Sequence, residues 1–304
     1  MDHIAIIMTV RNRKETTRKC IQSIIKANRS KNKLTFYITN DGSTDGTDIM
    51  LQEEKNKNQN YKFIITNGDG NLYWSGGMRI SYGKALENKD IDFYLWVNDD
   101  VEFFENFFDI LKKDYNNIQE QELILCGSVK DKISNKTTYS GHNVNTKKIY
   151  HYQRERLDPN GKPQICNLIS GNCVLIPRKV AEKNGNIDKR FTHGLGDWMY
   201  GIKFIKNNGK CYVASDYVGY CSRNNPKGTY FDPSLSISKR IKILHSTKHH
   251  PPKEYKIYLK EFFGNRWIIY FAYQYIRIVG TSIEYKIKKL LKKTNKKINN
   301  RSNL

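Results

Sequence analysis

Short apolar runs alternate with helical periodicities through the first hundred residues. Residues 4–10, 34–39, 61–66 and 93–97 are rich in Ile, Val, Phe and Tyr and have the length of buried strands. Between them, residues 15–27 carry Cys20, Ile21, Ile24 and Ile25 on one helical face. Residues 47–54 open a second helix and residues 77–86 form a third. Strands alternating with helices predict an α/β unit, a mostly parallel sheet with helices on its faces. Ligands of such sheets bind outside the carboxyl ends of the strands. The polar clusters fall there, at residues 9–13, 40–45, 67–77 and 98–100.

Beyond residue 123 the pattern is less regular. Residues 139–152 are polar and rich in Tyr and His, as in a loop or edge hairpin. Residues 167–177 are strand-like, 180–184 form a short helix, 196–207 a helix bearing Trp198, Met199, Ile202 and Ile205, and 210–214 a further strand. A turn-rich connector, 224–233, leads into a helical, aromatic stretch that runs to about Ile283. After Tyr285 come Lys286, Lys288, Lys289, Lys292, Lys293, Lys296, Lys297 and Arg301 with no acidic residue. An aromatic-apolar helix beside a cationic tail has the composition of an interfacial membrane anchor. A helix pair packed on the rest of the chain, followed by a solvated tail, is the alternative. The expected division is residues 1–225 as the ligand-binding domain and 226–304 as a helical extension.

Charge narrows the partners. The chain of 304 residues has 52 Lys and Arg against 30 Asp and Glu, a formal net charge of +22. That excess calls for an anionic partner: nucleic acid, an acidic membrane surface or a phosphorylated ligand. None of the 6 Cys forms a Cys-x-x-Cys pair, which argues against a zinc ribbon or a thioredoxin-type site. Free thiols in a reducing cytoplasm are expected. No basic segment followed by an apolar core precedes the first strand, so no signal peptide is expected. No apolar run approaches the roughly 20 residues that span a bilayer.

Asn98-Asp99-Asp100 is the densest chemical signal. Adjacent carboxylates at the end of a buried strand are costly unless a cation neutralises them. A hard divalent ion, Mg2+ or Mn2+, suits oxygen donors and keeps phosphate oxygens as further ligands. A plain Asn/Asp turn is the competing account. Asp41-Gly42-Ser43-Thr44-Asp45-Gly46-Thr47 closes the second strand, where Gly42 allows close approach of a ligand and Ser43, Thr44 or Asp45 can cap the next helix.

The ordered set Thr9-Val10-Arg11-Asn12-Arg13, residues 41–47 and Asn98-Asp99-Asp100 resembles the family 2 glycosyltransferases of GT-A fold. Gly70-Asn71-Leu72-Tyr73-Trp74-Ser75-Gly76-Gly77-Met78, Ser170-Gly171-Asn172 and His193-Gly194-Leu195-Gly196-Asp197-Trp198 resemble its rhamnosyltransferase-like branch. The resemblance covers about residues 3–225. It implies an inverting transfer of a sugar from a UDP- or dTDP-sugar to a hydroxyl of a glycan or lipid-linked oligosaccharide, as in bacterial surface polysaccharide synthesis. It places Thr9 and Asp41 at the base, with Arg13 near the same pocket. It places Asn98 at the first position of the family's Asp-x-Asp motif and Asp100, as metal ligand, at the last, with Asp99 as a secondary group. Asn71, Trp74 and Gly77 fall in a Gly-rich sugar-facing loop. Asp197 is the implied general base, with Trp198 and His193 beside the acceptor; Gly196 departs from the family's commoner acidic pair. Arg223 and Lys227 are weaker candidates for the diphosphate, and His245, His249 and His250 lack zinc spacing.

Other readings are a nucleic-acid-binding protein, a nucleotidyltransferase and a catalytically silent sugar-binding relative. Much of the charge lies in the tail and no nucleic-acid motif stands out, so no nucleic-acid partner is expected. The first strand is not followed by the glycines of a triphosphate loop. The expected place of action is the cytoplasmic face of an anionic membrane.

Overall fold

The computed structural model describes residues 3–145, 153–223 and 225–301, with side chains described as far as residue 292. Two compact units emerge. One comprises residues 1–145 and 153–223, the other residues 146–152 and 224–304.

The first unit begins with β1 (His3–Val10), α1 (Lys14–Ala27), β2 (Lys33–Asp41), α2 (Thr47–Lys57), β3 (Lys62–Gly68), α3 (Tyr73–Leu86) and β4 (Phe93–Val97). It continues through β5 (Glu102–Phe103), α4 (Phe107–Asn117), β6 (Leu123–Lys130), β7 (Thr137–Tyr139), β8 (His142–Asn145) and β9 (Gln153–Arg156). It closes with β10 (Gln164–Cys166), β11 (Cys173–Pro177), α5 (Arg178–Asn184), α6 (Gly196–Lys206) and β12 (Lys210–Tyr220). The large sheet runs β10-β12-β6-β11-β4-β1-β2-β3. Strands β4, β1, β2 and β3 are parallel, and β12 is parallel to β6. Strand β11 alone runs against both its neighbours, β4 and β6.

Period-two alternation builds two cores on this sheet. From β1, Ile4, Ile6 and Met8 join Cys20, Ile21 and Ile24 of α1 on one face. Ala5 and Ile7 join Met78 and Tyr82 of α3 and Trp96 of β4 on the other. Each fully buried Ile or Leu contributes about 1.5–3 kcal/mol, so a one-residue slip of β1 would forfeit both faces at once.

Several boundaries differ from the sequence reading. Helix α3 starts at Tyr73, not at residue 77, because the Asp41 carboxylate accepts the N–H groups of Gly70 (2.8 Å), Leu72 (3.2 Å) and Tyr73 (3.0 Å) and anchors the turn before it. Trp74 and Gly77 are thus on a helix; of the three residues placed in a Gly-rich loop, only Asn71 is in one. A side chain at Gly77 would collide with Thr9, so the glycine lets α3 lie against the end of β1. Residues 123–130, given no element from the sequence, form the central strand β6. Only Cys173–Pro177 of the strand-like stretch 167–177 pairs in the sheet, and β12 runs six residues past the expected 214. Strands β8 and β9 pair antiparallel, while residues 146–152 of the expected 139–152 segment lie outside the described residues.

The second unit holds α7 (Ile237–Leu244), α8 (Pro252–Phe263) and α9 (Trp267–Arg301). The buried Arg240 guanidinium ties α7 to α9 through the Ile278 carbonyl (2.9 Å), Ser282 Oγ (2.5 Å) and Thr281 Oγ1 (2.9 Å). Among the described residues no helix is long and apolar enough to cross a membrane.

Candidate active site

Parallel β1, β2, β3 and β4 end on one edge, and antiparallel β11 begins there, with Cys173 opposite Val97. This edge gathers Thr9, Arg13, Asp41, Asn71, Asn98, Asp99 and Asp100 with Ser170-Gly171-Asn172. The Asn98 N–H donates to the Asn172 carbonyl (3.3 Å), which locks the two segments together.

Trp74 projects from the first turn of α3 into this junction. Its indole Nε1–H donates to Asn98 Oδ1 (2.8 Å), and its ring meets Trp96 edge-on. A methyl group on Gly171 would overlap the Trp74 ring. The Gly171 N–H donates to Asp197 Oδ2 (2.9 Å), and the Trp198 N–H to Asp197 Oδ1 (2.9 Å). Asp197 stands in the first turn of α6, where the helix dipole favours its charge. Burial nonetheless raises its pKa to about 6, against the two amides. The residue keeps part of its surface open to solvent. Trp74 and Gly171 thus link Asn98, at the carboxylate end of the site, to Asp197.

The carboxylates carry an internal cation. Arg13 Nη1 donates to Asp99 Oδ1 (3.0 Å) and to Asp100 Oδ2 (2.8 Å). Burial pulls the guanidinium pKa down, but the two carboxylates outweigh it and hold it above its usual value. Asp99 is buried and also accepts from Thr17 Oγ1 (3.4 Å); burial lifts its pKa to about 6 despite Arg13. Asp100 is more open, with a side chain 27% exposed, and Cys221 Sγ donates to its second oxygen at 3.6 Å. Burial keeps the Cys221 thiol protonated. Arg13 therefore sits with Asp99 and Asp100 and not with Thr9 and Asp41, because α1 starts beside the end of β4.

Thr9 Oγ1 donates to the Thr39 carbonyl (3.3 Å), and Asp41, 2% exposed, is engaged by the amides that start α3. The Thr9 side chain is half-buried beside Gly77, and the buried Asp41 carboxylate faces the turn before α3. Asn71 is exposed. His193 Nδ1 accepts the Trp74 N–H (3.4 Å), and its carbonyl accepts from Ser75 Oγ (2.8 Å), which fixes α3 against the segment before α6. Gly196 is filled by the same contact: a side chain there would strike Ser75. The Arg154 guanidinium lies 4.7 Å from the Trp198 ring centre. His245 packs on Tyr275, while His249 and His250 both pack on Tyr230 and His250 also stacks on Tyr255. Arg11 donates to the Gly70 carbonyl and lies 4.0 Å from Asp41. Arg11 and Ser75 stood inside motifs without a role assigned from the sequence; Thr17 and Cys221 carry no local signal.

A divalent cation fits the edge on terms the donor set fixes. Among the described residues no three His, Cys, Asp or Glu side chains converge to hold a metal. Two adjacent carboxylates, one partly open, match a Mg2+ or Mn2+ whose other ligands are diphosphate oxygens and water.

An α/β sheet whose strand ends bring paired carboxylates, an indole and a helix-start Asp to one edge has the architecture of a GT-A glycosyltransferase. The family model for glycosyl transferase family 2 matches residues 5–185, and the chain belongs to that family. It is similar to an uncharacterized glycosyltransferase of Rickettsia typhi (24% identity over 209 residues, 67% of this chain and 58% of the relative). One of Rickettsia prowazekii is 24% identical over 250 residues (80% and 65%), so the chain spans about three fifths of these relatives' length. The fold matches a mannosyltransferase of Pyrobaculum calidifontis in complex with GDP-Man and Mn2+, with a TM-score of 0.57, 12% identity, 92% of this chain and 73% of the other. It also matches GalNAc-T7 with UDP, GalNAc and Mn2+, with a TM-score of 0.56, 12% identity, 81% and 48%.

Proposed function

We propose that the chain is an inverting glycosyltransferase that moves a sugar from a UDP- or dTDP-linked donor to a hydroxyl of a glycan or lipid-linked acceptor in surface polysaccharide assembly. The observation that carries this reading is the bridge of Trp74 and Gly171, which joins Asn98, at the Asp99–Asp100 end of the site, to Asp197. A diphosphate held at the first and an acceptor hydroxyl at the second would face the same sugar.

Asp197 takes the proton of the acceptor hydroxyl as that oxygen bonds to the anomeric carbon. The bond from that carbon to the diphosphate breaks, and its electron pair leaves with the diphosphate. Inversion follows because attack and departure lie on opposite faces. Asp100, with Asp99 behind it, would hold Mg2+ or Mn2+, which supplies positive charge to the leaving diphosphate. Trp74 offers its ring to the sugar. Trp198 and His193 border the acceptor side. Asp41 shapes the wall of the nucleotide pocket through the turn before α3, and Thr9, Asn71 and Gly77 complete that wall.

The place of action we assign is an anionic membrane surface, bound by residues 226–304. Support comes from α9: Ile269, Ile276, Val279, Ile283, Ile287 and Leu290 are all exposed and recur at helical spacing, while Tyr270, Ile278 and Ser282 turn into the unit's own core.

The test is release of nucleoside diphosphate from UDP- and dTDP-sugars with glycan acceptors, with and without EDTA. Asp100→Ala and EDTA should each abolish most turnover. Full activity in both would remove the carboxylate end of the site from the mechanism.

A further inference from the structure

Both oxygens of Asp100 are already spoken for, one by Arg13 and one by Cys221, and Arg13 also holds Asp99. The cavity beside Asp100, about 130 Å³, is lined by Lys19 and Lys132 as well as Cys221. Glu102, on the same lining, pairs with Lys132 (3.2 Å), so the carboxylates around Asp100 are each matched by a cation and Lys19 adds a further positive charge.

We propose that Arg13 is a charge switch for the site: it occupies the carboxylates until the diphosphate arrives, then passes them to the divalent ion and turns to the diphosphate itself. The inference rests on the glycosyltransferase reading and deepens it. A guanidinium and a divalent ion cannot both sit against the same two carboxylates without strong like-charge repulsion. A diphosphate oxygen is the one partner that matches the guanidinium as well as a carboxylate does. The side chain is free to make that move, being 45% exposed while the Asp99 it leaves is 9% exposed. Anion and cation then enter together, each relieving the repulsion that the other would meet alone. Arg13 is a positioning residue before the donor binds and a ligand of the diphosphate afterwards.

The two roles predict opposite signs for one substitution. Mn2+ binding is read from loss of the free-ion electron paramagnetic resonance signal, on the full chain, without nucleotide and with UDP, dTDP or GDP. Arg13→Gln should bind Mn2+ alone at least about fivefold more tightly than wild type, because the competing cation is gone. The same variant should bind the Mn2+–nucleoside diphosphate pair at least about tenfold more weakly, because a charge-assisted contact to the diphosphate is gone. Arg13→Lys, which keeps the charge, should hold Mn2+-alone binding near wild type. Weaker Mn2+ binding by Arg13→Gln in both conditions, or no change in either, would show Arg13 to be structural or idle. If wild type itself binds no Mn2+–nucleoside diphosphate pair, the functional reading falls and takes the switch with it. Wild-type binding beside an unmoved Arg13→Gln overturns the switch alone. A melting scan of each variant separates misfolding from altered binding.

Discussion

At the scale of a residue, the proton-acceptor role proposed for Asp197 comes with a stability cost. Its carboxyl titrates near 6 where an ordinary Asp titrates at 3.8, and burial is the leading cause. A group whose folded pKa is raised binds its proton more readily in the native state than in the unfolded chain. Stability should therefore fall as pH rises from about 4 to about 6 and stay low above it. Asp197→Asn removes that penalty and should gain about 1–3 kcal/mol at pH 8, toward the lower end because the residue reaches solvent. Turnover should move the other way, dropping about 10²–10⁴-fold, since the proton acceptor is lost. Wild-type kcat/KM should also rise through an acidic limb near pH 6 as Asp197 ionises. Melting curves at pH 4, 6 and 8 beside a pH–rate profile check both signs; a variant that gains no stability yet stays active would separate Asp197 from the chemistry. Gly171 makes a similar point without charge. A methyl group there meets the Trp74 ring, so Gly171→Ala should displace the indole from Asn98 and cut turnover by about tenfold or more, with intrinsic Trp fluorescence reporting the displaced ring.

At the scale of an element, legibility followed locality. The strands of the parallel half and helix α1 announced themselves because each buries its own periodic face, and β1 ends at the residue expected, Val10. Strand β6 did not, because Gly127 and Ser128 interrupt its apolar run and only its neighbours on both sides make it central. The start of α3 was missed for a different reason. The Gly76-Gly77 pair has low helix propensity, and what overrides it is a carboxylate from β2, 29 residues away from the first amide it holds. The site was legible in its motif residues and not in its connections. No spacing in the sequence says that Arg13 reaches Asp99 across 86 positions, or that Cys221 reaches Asp100 across 121. Helix α9 carries its own prediction at this scale. Ile276→Glu with Ile283→Glu puts two charges on the exposed stripe, away from the buried Ile278 and Ser282. The double variant should melt as wild type does and cosediment with phosphatidylglycerol vesicles at least about tenfold less well. Unchanged sedimentation would show that the stripe faces something other than lipid.

At the scale of the whole molecule, the +22 charge is distributed in a way that separates two anionic partners. Residues 224–304 hold 18 Lys and Arg against 4 Asp and Glu, whereas residues 1–223 hold 34 against 26. Residues 224–304 thus carry most of the excess, and 9 of their 18 cations lie on α9, the helix that exposes the apolar stripe. A lipid surface uses both properties together: lysines draw the chain to anionic headgroups, and the stripe adds a term that salt does not screen. Nucleic acid uses only the first, and its affinity collapses with salt along a slope set by the phosphates neutralised. The chain should therefore bind phosphatidylglycerol vesicles tightly at low salt and keep a measurable part of that affinity at about 0.5 M, where the Debye length has shrunk to a few ångströms. Neutral phosphatidylcholine vesicles should retain only this residual, salt-insensitive part. A duplex DNA competitor should displace vesicles at low salt and fail at high salt. If vesicle affinity instead vanishes with salt as steeply as DNA affinity does, the stripe contributes nothing and the charge alone explains the attraction. In that case an anionic polymer would serve as partner as well as a membrane, and the lipid-linked acceptor would lose its structural support.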